Sequence, residues 1–198
     1  MSLWQWILLA GVIVVVAVLI WQCVMLAGRR DRLHWRVTMS RVALDTHLIR
    51  RAVDAGLLAA SGLAGQGSAD LDDAAARCLA LSGTPLVDDD FDRKRDIDGL
   101  SDGDAQMAAR RLNAESALSR QIRACMTPQL RDEARDDADA AHLISALDAS
   151  HYRVHVARSV HNLDVTQIRR LRAHPLVRIA HLYGHARVPS SIDFDDAQ

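Results

Sequence analysis

The sequence predicts an all-α protein, in which an N-terminal transmembrane helix continues into an antiparallel cytoplasmic bundle of about four helices. Three observations predict it. Leu3 to Ala27 reads LWQWILLAGVIVVVAVLIWQCVMLA, without one charged side chain. Beyond it, apolar residues recur at spacings of three and four rather than two. Aromatic residues make up only 4% of the chain while alanine is abundant, so strand signals are scarce. The expected division is a transmembrane anchor over 1–28, a helical bundle over 29–184 with an acidic loop at 84–100, and a polar tail over 185–198.

At about 1.5 Å per residue the first stretch makes a helix roughly 37 Å long, enough to cross a hydrocarbon core of about 30 Å with some tilt. Trp4, Trp6 and Trp21 stand where an aromatic belt would hold them. A cleaved signal peptide fits less well. No basic side chain precedes the apolar run, the run is too long, and no A-x-A-like site follows. Ile20-Trp21-Gln22 also lacks the small residues expected before a lipid-attached Cys23. Arg29, Arg30, Arg32 and Arg36 follow the span directly. The positive-inside rule therefore puts the N-terminus outside and the rest in the cytoplasm, at a cell inner membrane.

The part beyond the anchor is long enough for one domain with a real core. Formal net charge is -1, which excludes a strong overall field and makes any charged surface local. Cys23, Cys78 and Cys125 form no C-x-x-C pair, and reduced structural thiols are expected in a cytoplasmic domain. Lys94 is the only lysine, and Glu115 and Glu133 are the only glutamates, so arginine and aspartate carry nearly all the charge. That bias fits a GC-rich genome.

From Gly28 the anchor is expected to run unbroken into a cytoplasmic helix, because no Pro or Gly cluster interrupts it before Gly56. Leu33, Val37, Leu44, Leu48, Ala52 and Ala55 share one stripe, and Trp35, Val42 and Ile49 an adjoining one, together a broad face for a bundle core. Ser61-Gly62 ends this helix, with Gly62 as the residue just past its cap. Ser68 is expected to cap a second helix reaching about Leu81, with Asp70, Asp72 and Asp73 at its positive end and Gly83 and Pro85 beyond.

The loop at 84–100 fails the EF-hand pattern in both registers. Arg93 stands where glycine is needed if the loop starts at Asp88, and Ala109 replaces the final Glu if it starts at Asp98. A solvated acidic loop is expected there. Ser101 and Asp104 resemble a capping box before a third helix, whose core side carries Ala108, Leu112, Leu118, Ile122 and Cys125. Thr127-Pro128 signals another helical start. The acidic patch from Asp132 to Asp139 is either a short turn or the beginning of the last long helix. That helix carries Leu143, Leu147, Val154, Ala157, Val165 and Ile168, and ends before Pro175. A short amphipathic piece and an acidic tail follow.

Two segments resemble the LemA-like family of membrane-anchored helical proteins, in its divergent branch from GC-rich bacteria. Leu44-Asp45-Thr46-His47-Leu48-Ile49-Arg50-Arg51-Ala52 matches the family's I-D-x-x-L-x-R-R-A stretch just after the anchor. Arg153 to Val165 (RVHVARSVHNLDV) resembles its R-[IV]-x-x-A-R-x-x-Y-N-D-x-V stretch. There His161 replaces the usual aromatic and Leu163-Asp164 shifts the acid by one place. The tail departs from the family pattern. The resemblance covers the anchor and the two long helices, and it implies a short N-terminus outside, a cytoplasmic bundle and no established molecular activity.

Asp45, Arg158 and Asn162 stand on otherwise apolar helix faces. A buried charge is tolerable only when paired, so the expectation is that Asp45 and Arg158 meet across the core, with Asn162 completing the network. The alternative is that all three are surface groups. His151 and His155, and His181 and His185, are each four apart, and His161 or Asp148 could add to the first pair, but neither pair forms H-E-x-x-H. No metal site, cofactor or catalytic residue is assigned, since no nucleotide-binding or nucleophile motif is present either.

Arg169, Arg170, Arg172 and Arg178 surround apolar residues at the end of the last helix. In an up-and-down bundle this end returns toward the anchor and joins Arg29, Arg30 and Arg32 in a basic collar facing anionic lipid. The plainer reading is a solvated helix end with basic residues favoured by the macrodipole. Nucleic acid is not an expected partner, because net positive charge and stacking aromatics are lacking. The sequence thus predicts a non-enzymatic, single-pass scaffold or interaction protein, with a protein partner or a homo-oligomer. Its alternatives are a regulatory subunit of a larger membrane complex and a metal-dependent hydrolase using the helix histidines.

Overall fold

Helix α1 runs from Leu3 to Ala60 in the computed structural model, as one element. The structure describes residues 3–87, 102–173 and 189–195, apart from the side chains of 3, 19, 20, 22–24, 26–34 and 102. With no proline and only isolated glycines to Ala60, every backbone N–H past the first turn keeps its partner four residues back, so nothing breaks the helix at the expected boundary near residue 28. It stops at Ser61-Gly62. The Ser61 hydroxyl donates to the Leu58 carbonyl at 2.7 Å, and Gly62 takes φ 74°, a conformation a Cβ would disfavour.

A 3-10 turn, Gly65–Gly67, leads into α2 (Ser68–Ala80). Ser68 is the first helical residue and Gly67 the cap, so the expected serine cap is displaced by one position. Gly67 packs so closely on the Cys125 thiol that an added Cβ would lie 2.8 Å from it. Helix α3 spans Asp102–Cys125. Its expected capping box lies at the edge of the described residues, with Ser101 outside them. The Thr127 hydroxyl accepts the Leu130 N–H at 3.2 Å, with Pro128 at the first position of α4 (Pro128–Glu133). After a 3-10 turn, Ala134–Asp136, the Asp137 carboxylate accepts the N–H groups of Asp139 and Ala140 and opens α5 (Ala138–Ala173). The acidic patch is therefore a turn and a cap.

Every element among the described residues is helical. Their register follows from the core. Val37 packs with Val165 and Ile168, Leu44 and Leu48 with Val154, and Ala52 to Ala59 with Leu147, Ile144 and Ala140, so α5 runs antiparallel to α1. Arg51 of α1 meets Glu115 and Ser119 of α3, while Asp45 meets Arg111, so α3 runs parallel to α1. Helix α2 connects them in the opposite sense and packs on both. The result is an up-down-up-down arrangement of four helices.

Three expectations are corrected. Trp35 and Val42 are 64% and 56% exposed, so the second stripe of α1 is no part of the core. At 100° per residue it falls on the side of the helix opposite Leu44, Leu48 and Ala55, which the other helices cover. Leu86 and Val87, at the start of the expected solvated loop, are buried; residues 88–100 lie outside the described residues. Of the expected polar tail the described part, residues 189–195, is docked, with Ile192 fully buried. Among the described residues no helix is long and apolar enough to cross a membrane.

Candidate interaction surfaces

A polar seam joins α1 to α3. Asp45 and the Thr84 carbonyl share the two ends of the Arg111 guanidinium, which is 2% exposed. Arg51, with no exposed surface, donates to Glu115 Oε2 at 2.7 Å and to the Ser119 hydroxyl at 3.0 Å. Asp45 therefore pairs with Arg111 and not with Arg158. It sits one step round α1 from Leu44, on the side that α3 covers, while α5 covers another. The spacing Leu44, Leu48, Arg51, Ala55 puts an arginine in the middle of the core stripe, which is the sequence signal for a buried charge on this face.

The structure does bring Arg158 and Asn162 together, through residues 189–195. This segment lies in a groove between α3 and α5. The Asn162 side chain accepts the Ile192 N–H and donates to the Ile192 carbonyl, both at 2.9 Å. Ile192 enters a pocket formed with Leu44, Leu48, Leu86, Val87 and Val154. The guanidiniums of Arg51 and Arg158 lie over the Phe194 ring, 5.6 and 5.3 Å from its centre. Arg158 also donates to the Phe194 carbonyl at 2.9 Å and pairs with Asp193 at 3.2 Å. On the α3 side, Arg123 pairs with Asp195 at 2.7 Å, and the Ser116 hydroxyl accepts the Asp195 N–H at 3.2 Å. Burying Ile192 and Phe194 contributes about 1.5–3 kcal/mol each before ordering costs.

A second surface is apolar and open. On α1 Trp35, Met39, Val42, Val53 and Leu57 are exposed, and half-buried Ile49 lies on the same stripe. With Thr46 they follow spacings of four and three, the period of a helix seam that meets another helix. Beside it, between α1 and α5, a groove of about 300 Å³ is lined by Ala43, His47, Tyr152, Val156 and Val160. Tyr152, Val156, Val160 and Leu163 of α5 are themselves exposed.

Of the expected collar, Arg169 donates to the Pro189 carbonyl at 3.1 Å and Arg170 is exposed. Arg172 is half-buried and bonded. The side chains of Arg29, Arg30 and Arg32, and all of Arg178, lie outside the described residues, as do His181 and His185. His161 is buried, with Nδ1 3.1 Å from the Ser40 hydroxyl. His151 and His155 lie on α5, and among the described residues no group of three or more His, Cys, Asp or Glu is placed to hold a metal ion. Burial, with the Glu115 carboxylate next, pushes the Cys78 thiol up to about 12, and burial raises Cys125. Neither is a ready nucleophile at neutral pH. No protein-family model, curated protein or solved structure matches the chain.

Proposed function

We propose that the chain is a single-pass, inner-membrane-anchored helical interaction protein without catalytic activity, and that it pairs with a second copy of itself through the outer stripe of α1. The observation that carries this reading is the outer series of α1, in which Trp35, Met39, Val42, Thr46, Val53 and Leu57 are exposed and Ile49 is half-buried. Large apolar side chains repeating every three and four residues on a solvent-facing helix side leave a surface that a partner helix would cover. A second copy is the occupant chosen because α1 continues into the anchor without a break. Two copies in one membrane present this stripe in parallel and at the same height, which is the arrangement a parallel seam needs.

The rest of the proposal draws on the sequence. The charge-free stretch from Leu3 to Ala27 is the anchor, and the arginines after it keep the bundle in the cytoplasm. Because α5 runs antiparallel to α1, its last turns pack beside Val37. That supports a basic collar of Arg29, Arg30, Arg32, Arg170 and Arg178 facing anionic lipid, each worth about 1 kcal/mol near the surface; Arg169 is engaged with Pro189, and Arg172 is half-buried and bonded. The two LemA-like segments lie on α1 and α5, and their packing against each other supports proposing that family for the chain.

The test is disulfide trapping in native membranes. Val42→Cys on the seam is expected to give an intermolecular disulfide, and Asp45→Cys, held against α3, is not. Val42→Arg with Val53→Arg is expected to convert the purified full chain to monomers in detergent. A wild-type chain that stays monomeric at all concentrations, with no trapping at position 42, would sink the reading.

A further inference from the structure

The groove between α3 and α5 has the attributes of a receptor rather than of a seam between helices. Its occupant, residues 189–195, is extended, and none of the hydrogen bonds described above is internal to it. Side chains alternate along it with the period of a strand. Ile192 and Phe194 face the groove while Asp193 and Asp195 meet Arg158 and Arg123. Asn162 satisfies both backbone groups of Ile192, as a neighbouring strand would. Backbone, two apolar side chains and two acids are thus read within seven residues.

The walls of the groove are also held by contacts outside the occupant. Arg51 is held by Glu115 and Ser119, so its guanidinium stays in position whether or not Phe194 lies under it. Leu44, Leu48 and Val154 are fixed on the two helices that make the main antiparallel pair. Taking the segment away would uncover a preformed apolar trough rimmed by Arg123 and Arg158. Such a trough fits an extended acidic segment with apolar residues two apart.

We propose that this groove is a docking site for an extended Ile-Asp-Phe-Asp-like segment of a partner protein, and that residues 189–195 fill it in cis as a built-in competitor. The charge complementarity between Arg158, Arg123 and the two aspartates argues for that partner chemistry. The inference does not depend on the anchor or on the outer stripe of α1. Linked to its own receptor, the segment acts at high effective concentration, so only a partner with better contacts or high local abundance displaces it.

The experiment uses the full chain in detergent micelles and a fluorescein-labelled peptide with the sequence of residues 189–195 (PSSIDFD), read by anisotropy. A variant carrying Ile192→Ser and Phe194→Ala cannot fill its own groove. It is expected to bind the peptide at least tenfold more tightly than wild type, and adding Asn162→Ala is expected to remove that gain. A peptide with alanine in place of the phenylalanine should bind at least tenfold more weakly. Absence of peptide binding by a variant that keeps its helical circular dichroism overturns the proposal. If the variant loses its helical signal, amide exchange of the wild-type chain decides. Exchange at Ile192 at least tenfold faster than at Leu48 and Ala52 means that the segment leaves while the bundle stays folded. Exchange at the same rate makes the segment an integral part of the core and overturns the proposal.

Discussion

Arg51 is held by an arrangement that is costly to break and inexpensive to replace. Its guanidinium has no exposed surface and depends on Glu115 for its counter-charge. Glu115→Ala leaves a buried cation unpaired, and the expected loss is about 3–5 kcal/mol, measured as a lower midpoint in urea. Arg51→Met combined with Glu115→Leu removes both charges and should recover most of that loss. Cys78 lies close enough to the same pair to feel both charges. Its thiol is pushed to about 12 against 9.0 in the unfolded chain. A raised folded value means that the thiol adds stability below pH 9, which is lost as the pH rises toward about 12. At pH 8 a thiol reagent should leave Cys78 unmodified until denaturant is added, as peptide mapping would report. Reaction in the folded protein would mean that Cys78 is neither buried nor raised.

At the scale of elements, the helix ends were the most legible part of the sequence. Gly62, Thr127-Pro128 and the glycine after α2 are local signals, and each acts within one turn of itself. Thr127→Ala removes the hydroxyl that accepts the Leu130 N–H and should cost about 1 kcal/mol in thermal or urea unfolding. The faces were less legible. Trp35, Val42 and Ile49 read as core because periodicity reports apolar residues without reporting what covers them. Asp45 and Arg158 read as partners because both broke apolar faces on neighbouring helices. Which side of α1 each neighbour occupies is set by the turns and by α2, and single-helix patterns carry no such information. The docked segment was least legible. SSIDFD is short and acidic, and only the groove formed by distant residues gives Ile192 and Phe194 somewhere to go.

For the whole molecule, the antiparallel pairing of α1 with α5 is the organising contact. It sets the height of the docking groove, brings the end of α5 back beside Val37, and leaves one side of α1 bare. The bundle and the proposed anchor share that single helix. At about 1.5 Å per residue its 58 residues extend about 87 Å.

An unbroken helix is also a rigid shaft, and its two ends are locked in rotational phase. One extra residue between Arg32 and Leu33 would turn the bundle about 100° relative to the N-terminal stretch and lift it by about 1.5 Å. Seven extra residues would restore the phase to within about 20°. Ile13 stands 29 residues before Val42, which at about 100° per residue brings the two within about 20° of the same phase. Ile13→Cys and Val42→Cys are therefore expected to form disulfides between two copies simultaneously in the natural chain. They should fail to do so together after a one-residue insertion, and succeed again after seven. A protein built this way carries torsion from one end of α1 to the other, so turning the N-terminal stretch redirects everything the bundle presents.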